Sequence, residues 1–98
     1  YVVIGRSTFS SAILNTMDFK HLTDAVVVGE QTAGKPNHFG EVRNFQLPGS
    51  KLTVAYSTKY FRRTDEEADT ITPDVRIEMS FTDFTKGIDP VYEWIKAQ

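Results

Sequence analysis

The chain opens on an apolar run, Tyr1-Val2-Val3-Ile4-Gly5, which reads as a buried strand ended by glycine. The period then changes. Ala12, Ile13, Leu14 and Met17 form a one-sided stripe, which predicts a helix capped by Ser10 or Ser11 and running to about His21, where Thr23-Asp24 breaks it. Ala25-Val26-Val27-Val28-Gly29 is a second continuous β-branched run. Runs apolar on both faces belong to buried parallel strands, so the first 29 residues predict a βαβ unit with a right-handed crossover.

Beyond Gly29 the pattern becomes polar and then alternates. Glu30 to Gly40 reads as a loop with Gly34, Pro36 and Asn37. From Glu41 to Leu47, Val42, Asn44 and Gln46 alternate with Arg43, Phe45 and Leu47; Pro48-Gly49-Ser50 marks a turn, and Leu52 to Ser57 alternates again. This predicts a half-exposed antiparallel hairpin, which Lys59-Tyr60-Phe61-Arg62 either extends or leaves. Arg63 to Thr72 reads as an acidic loop, and Thr72-Pro73-Asp74 leads into a short strand from Val75 to Met79. Asp89-Pro90 supplies a cap and a first-turn proline for a last helix through Ala97, with Val91, Trp94 and Ile95 as its apolar stripe.

Composition narrows the classes. With 98 residues there is room for one domain or a piece of one, and 40% hydrophobic residues suffice for a core. Thirteen acids and eleven bases are mixed along the chain with a net charge of −2, and no basic stripe points to a nucleic-acid partner. There is no cysteine, so disulfides, thiolate catalysis and Cys-based zinc sites are excluded. No apolar run approaches the ~18 residues of a membrane span. Because Tyr1 already stands inside a core-like strand, residues 1–98 are expected to be the C-terminal portion of a longer catalytic domain. The missing N-terminal part of that domain is an expected partner, and residues 1–98 alone are expected to associate or to be unstable.

Two residues carry candidate chemistry. Ser10 stands where the first strand turns into a helix, and Lys35 follows it by 25 positions, on the loop after the second strand. A serine needs a base to take its proton, and a lysine can serve only when desolvation makes it neutral. Lys35, between Gly34 and Pro36 and near Ala33 and Phe39, has no acid adjacent in sequence. The Ser11 N–H and the helix N-terminus would favour an oxyanion. On spacing alone the plainer reading is that Ser10 caps the helix and Lys35 is a solvated loop lysine, because serine caps are common.

Gly29 to Lys35 also spells G-x-x-x-x-G-K, but Pro36 stands where a phosphate loop needs a Ser or Thr and a helix start. His21 sits near a helix C-terminus, while His38 and Asn37 share the Lys35 loop and could bond a catalytic group or substrate. Asp65, Glu66, Glu67 and Asp69 lack the alternation of a calcium loop and read as a solvated tip. No His or Cys spacing suggests a metal site.

Three ordered segments, Thr8-Phe9-Ser10-Ser11-Ala12, Val28-Gly29-Glu30-Gln31-Thr32-Ala33-Gly34-Lys35 and Thr72-Pro73-Asp74-Val75, resemble the C-terminal half of the catalytic domain of tail-specific (C-terminal processing) serine peptidases, relatives of the tricorn-type peptidases. The closing Gly87-Ile88-Asp89-Pro90-Val91 is similar as well. The resemblance implies an α/β fold of the ClpP/crotonase-like ββα-spiral type, with a βαβ unit, an antiparallel hairpin and a C-terminal helix. It implies a Ser/Lys dyad of Ser10 and Lys35, with the Ser11 N–H as one oxyanion donor and a second donor upstream of this chain. It further implies a peptide or unfolded protein C-terminus as substrate, no cofactor, an extracytoplasmic location and a homo-oligomer as one assembly. Three positions depart from the family: Ile13 replaces a Glu, Phe9 a small residue, and Pro36-Asn37-His38-Phe39 the stretch holding a polar partner for the lysine. A non-catalytic relative that binds a peptide or ligand, or a domain that serves assembly alone, would share most of these features.

Overall fold

The computed structural model describes residues 1–98 and runs β1 (Val2–Ile4), α1 (Ser11–Leu22), β2 (Val27–Gly29), β3 (His38–Gln46), β4 (Thr53–Phe61), β5 (Val75–Arg76), α2 (Phe81–Lys86) and α3 (Pro90–Lys96). It is a small mixed α/β domain: a parallel sheet, an antiparallel hairpin and C-terminal helices. β2 is the centre of the sheet, with β1 and β5 parallel on either side, in the register Val2↔Val27, Ile4↔Gly29 and Val28↔Val75. Its position explains its composition, since Val27 and Val28 are fully buried on opposite faces.

α1 covers one face of the sheet. Ile13 and Met17 pack on Ile4, Val27 and Ile71, with Val2 at the border. The buried stripe is therefore Ile13, Thr16 and Met17, whereas Ala12 is exposed and Leu14 half-buried. Thr16 enters this stripe because its hydroxyl donates to the Ala12 carbonyl at 2.8 Å and needs no outside partner. On the other face, Val3, Ile77, Met79 and Val91 line a hollow between the sheet and α3, and Trp94 packs edge-on against Tyr1 with ring centroids 5.6 Å apart.

Asp74 fastens β5. Its Oδ2 accepts the Val27 N–H at 2.9 Å, its own N–H donates to the Val27 carbonyl at 2.7 Å, and its Oδ1 takes the Lys20 ammonium at 2.9 Å. β5 is shorter than the expected Val75–Met79 because β2 ends at Gly29. The Ile77 N–H makes the last rung to the Gly29 carbonyl at 3.0 Å. α2 has no counterpart in the sequence reading. Ser80 and Asp83 form a reciprocal cap, with each backbone N–H bonded to the other's side chain at 3.1 Å, and Gly87 ends the helix at φ 65.

The hairpin is longer than expected, from His38↔Phe61 to Gln46↔Thr53, and includes Lys59, Tyr60 and Phe61. It is exposed along nearly its whole length rather than half-exposed. It projects from the sheet, which accounts for the 58 × 35 × 19 Å extents and for a radius of gyration of 17.3 Å against the ~13 Å of a compact chain this long. Cross-strand pairs Phe39–Tyr60 and Phe45–Tyr56, at 4.8 and 6.0 Å, knit its strands together. No helix is long and apolar enough to cross a membrane.

Candidate active site

β1 and β2 end together, and the Glu30 N–H donates to the Ile4 carbonyl at 3.1 Å. Only glycine allows this approach. Gly29 sits at φ 121, and a Cβ there would collide with the Ile4 carbonyl oxygen. The two loops leaving this edge carry Ser10 and Lys35. The carboxyl edge of an open parallel sheet is where α/β proteins bind ligands. Arg6 Nε reaches Glu30 Oε2 at 3.2 Å and ties the loops together. Gly34 abuts the residues around Ser10, since a Cβ on it would lie 3.2 Å from both Phe9 Cδ2 and Ile13 Cγ1. The sequence neighbours of the two candidate residues are thus packed side by side.

Ser10 occupies φ 54, ψ −119, a left-handed conformation that a non-glycine residue rarely adopts. The turn before it is closed by the Thr8 N–H on the Gly5 carbonyl at 2.8 Å and the Gly5 N–H on Thr8 Oγ1 at 3.0 Å. After it, the Ser10 carbonyl accepts the N–H groups of Ile13 at 2.9 Å and Leu14 at 3.3 Å, so helix geometry begins at once. The residue is held from both sides in a strained turn. It occupies the cap position of α1 yet its hydroxyl makes no cap hydrogen bond and is exposed. The Ser11 N–H donates to no other backbone group. A strained, exposed serine between a strand and a helix is the geometry of a nucleophile elbow.

Lys35 departs from the expected desolvated lysine. Its side chain is 57% exposed and its Nζ lies 2.5 Å from Asp69 Oδ1. The hydrogen bond to that carboxylate, and its charge, hold the ammonium above the ordinary lysine range; Glu67 and Tyr60 add in the same direction, and the slight burial opposes them. Asp69 is held correspondingly below the ordinary carboxylate range. The acid lies 34 positions downstream, so nothing next to Lys35 in sequence announces it. No hydrogen bond joins Ser10 to Lys35 in this arrangement; the lysine stands as a paired cation.

No family model matches the chain, nor does any curated protein or solved structure. Its chemistry therefore rests on the geometry of its own residues.

Asn37 is committed to the fold. Buried, it accepts the N–H groups of Arg63 and Thr64 at 2.7 and 3.1 Å and donates to the Thr64 carbonyl at 2.9 Å. Little of its hydrogen-bonding capacity is left for a substrate. His38 Nδ1 lies 3.0 Å from the Lys35 carbonyl and 3.3 Å from that of Pro36, two acceptors that place the proton on Nδ1. Its ring stacks on Phe61. His38 thereby steadies the backbone of the lysine loop. Thr32, which sequence reading passed over, is the loop's main anchor: its hydroxyl donates to the Gly34 carbonyl and accepts the Ile71 N–H, both at 2.8 Å. His21 is exposed on the last turn of α1, and Asp65 pairs with Arg62. No three His, Asp or Glu side chains converge on a point that would hold a metal ion.

Proposed function

We propose that this chain carries the nucleophile and base of a serine peptidase of the tail-specific type, on a ClpP/crotonase-like ββα spiral. The observation that carries this reading is Ser10 itself, strained at φ 54, exposed, and without the cap bond that would give it a structural role. In the reaction, the Ser10 Oγ attacks the scissile carbonyl carbon while the neutral Lys35 amine takes its proton. Lys35 then returns that proton to the leaving amine, and water hydrolyses the acyl-serine. The Ser11 N–H, at the N-terminus of α1, is the oxyanion donor on this chain. The substrate is an extended peptide or unfolded C-terminus, and the site lies outside the cytoplasm.

One observation favours a second reading, a peptide-binding relative without catalysis: Lys35 is a cation paired to Asp69 rather than a base facing Ser10. The deciding experiment treats the full natural chain with a fluorophosphonate probe and maps the adduct. Modification of Ser10 that disappears in Lys35→Ala supports the dyad. No adduct on the wild type, or an adduct that persists in Ser10→Ala, rejects it and leaves the binding reading.

A further inference from the structure

The segment from Arg62 to Thr72 crosses from the hairpin back to the sheet and is tied down at both ends. At its start, Asn37 holds Arg63 and Thr64 by three hydrogen bonds, and Arg63 Nη1 reaches Asp18 Oδ1 on α1 at 3.1 Å. At its end, the buried Ile71 is bonded through both its N–H and its carbonyl to Thr32. The middle, residues 65–69, is mostly exposed, and the bonds of Asp65 and Glu66 stay within the strap, to Arg62 and Thr64. Its one ion pair with the site is Asp69 on Lys35.

We infer that this strap is a built-in brake: Asp69 clamps the Lys35 ammonium and keeps it from serving Ser10 until the middle of the strap swings away. The brake rests on the Ser10/Lys35 reading above. A protonated lysine has no lone pair with which to accept the serine proton, so any carboxylate seated on Lys35 opposes acyl transfer. The contact is also easily broken. Both side chains are more than half exposed, and an exposed ion pair is weak and screened by salt. The anchors, by contrast, are buried or part-buried and bonded to backbone. The middle can therefore move while the ends hold. The other titratable groups facing the lysine are Glu67 on the strap, Tyr60 on β4 and His38, bonded to the Lys35 carbonyl; Asp69 alone touches the ammonium.

Asp69→Asn keeps the shape of the side chain and removes the charge. Asp65→Asn is the control on the same strap. Two quantities are read in the full natural chain: the Lys35 protonation midpoint, by carbon NMR of the methylated amine, and the rate of fluorophosphonate attack at Ser10 against pH. In Asp69→Asn the midpoint falls, and the labelling profile moves to lower pH with a few-fold faster rate at neutral pH. Raising the salt concentration moves the wild type the same way. Asp65→Asn superimposes on the wild type. Ser10 labelling with an unmoved Asp69→Asn profile overturns the brake and leaves the dyad standing. No Ser10 labelling in either protein overturns both.

Discussion

Ser10→Gly is expected to make the chain more stable while Ser10→Ala brings no gain, and under the proposed dyad either substitution abolishes acyl transfer. Ser10 is at φ 54, ψ −119, a region that costs an L-residue about 1–3 kcal/mol. Glycine adopts it without that penalty but brings an unfolded-state entropy cost of about 0.5–1 kcal/mol relative to alanine. The balance favours glycine over alanine by roughly 1 kcal/mol, a rise in Tm of about 4–8 °C for a domain of this size. Alanine keeps the strain and loses a hydroxyl that makes no cap bond, so it stays near the wild type. A serine that served as an ordinary cap would behave differently against the wild type: alanine would fall about 0.5–2 kcal/mol below it and glycine a few tenths below it. Thermal unfolding followed by the fluorescence of Trp94, which is packed against Tyr1, separates the two. A Ser10→Gly variant no more stable than the wild type would refute the claim that the turn stores strain.

Two further substitutions probe the frame around the site. Gly29→Ala drives a Cβ into the Ile4 carbonyl at a residue whose φ is 121, so strain of about 1–3 kcal/mol and overpacking of similar size are expected together. Amide exchange at Glu30, whose N–H bonds Ile4, should lose its protection, and unchanged exchange would contradict the close approach of β1 and β2. Asp74 is held below the ordinary carboxylate range, first by its hydrogen bond to Lys20 and then by the Val27 N–H. Its folded pKa lies under its unfolded one, so its contribution is present above about pH 4 and is lost as pH falls through the folded value. Asp74→Ala should cost about 1–3 kcal/mol at neutral pH, mainly from the Val27 N–H left without its acceptor, because the half-exposed pair with Lys20 adds under about 1 kcal/mol. Urea titrations of both proteins should draw closer as pH falls below about 4, without meeting, since the protonated carboxyl still accepts the Val27 N–H; a gap that widens there would contradict the assignment.

The βαβ unit was legible because its rule is local. A run apolar on both faces, Ala25 to Gly29, can only be satisfied in the middle of a sheet, and that is where Val27 to Gly29 lie. The hairpin was legible for the same reason, since period two is a property of neighbours. α2 was missed although Ser80, Asp83 and Gly87 spell a capping box and a glycine stop, because its apolar positions, Phe81 and Phe84, pack on little and give a short, weak stripe. Ser10 and Lys35 were legible as candidates from their places after two strands. Their states were not. Asp69 reaches Lys35 across 34 residues, and Asn37, a plausible substrate contact in one dimension, spends its side chain on Arg63 and Thr64. Ion pairs and loop clamps of this kind depend on tertiary distance, which no period in the sequence encodes.

The two members of the proposed dyad differ in how firmly their states are held, and the difference follows from what holds them. Ser10 is fixed by the hydrogen-bonded turn before it and by the helix that starts on its carbonyl, so its conformation changes only if that turn opens or α1 unwinds at its first turn. Lys35 has its backbone fixed by Thr32 and His38, but its ammonium is held by a carboxylate in open solvent. In the proposed dyad, a firmly held serine is thus combined with a lysine whose ammonium rests on one exposed contact, and the lysine is the member that small perturbations can shift. Desolvation by a bound peptide would act on that contact in two opposite ways, strengthening the ion pair if Asp69 stays and favouring the neutral amine if the peptide displaces it. Under the proposed brake, a peptide that lifts the strap would favour the neutral lysine, whereas one that docks beside it would strengthen the pair with Asp69. If the proposed dyad operates, its rate should depend on how a peptide enters as much as on the bond it presents.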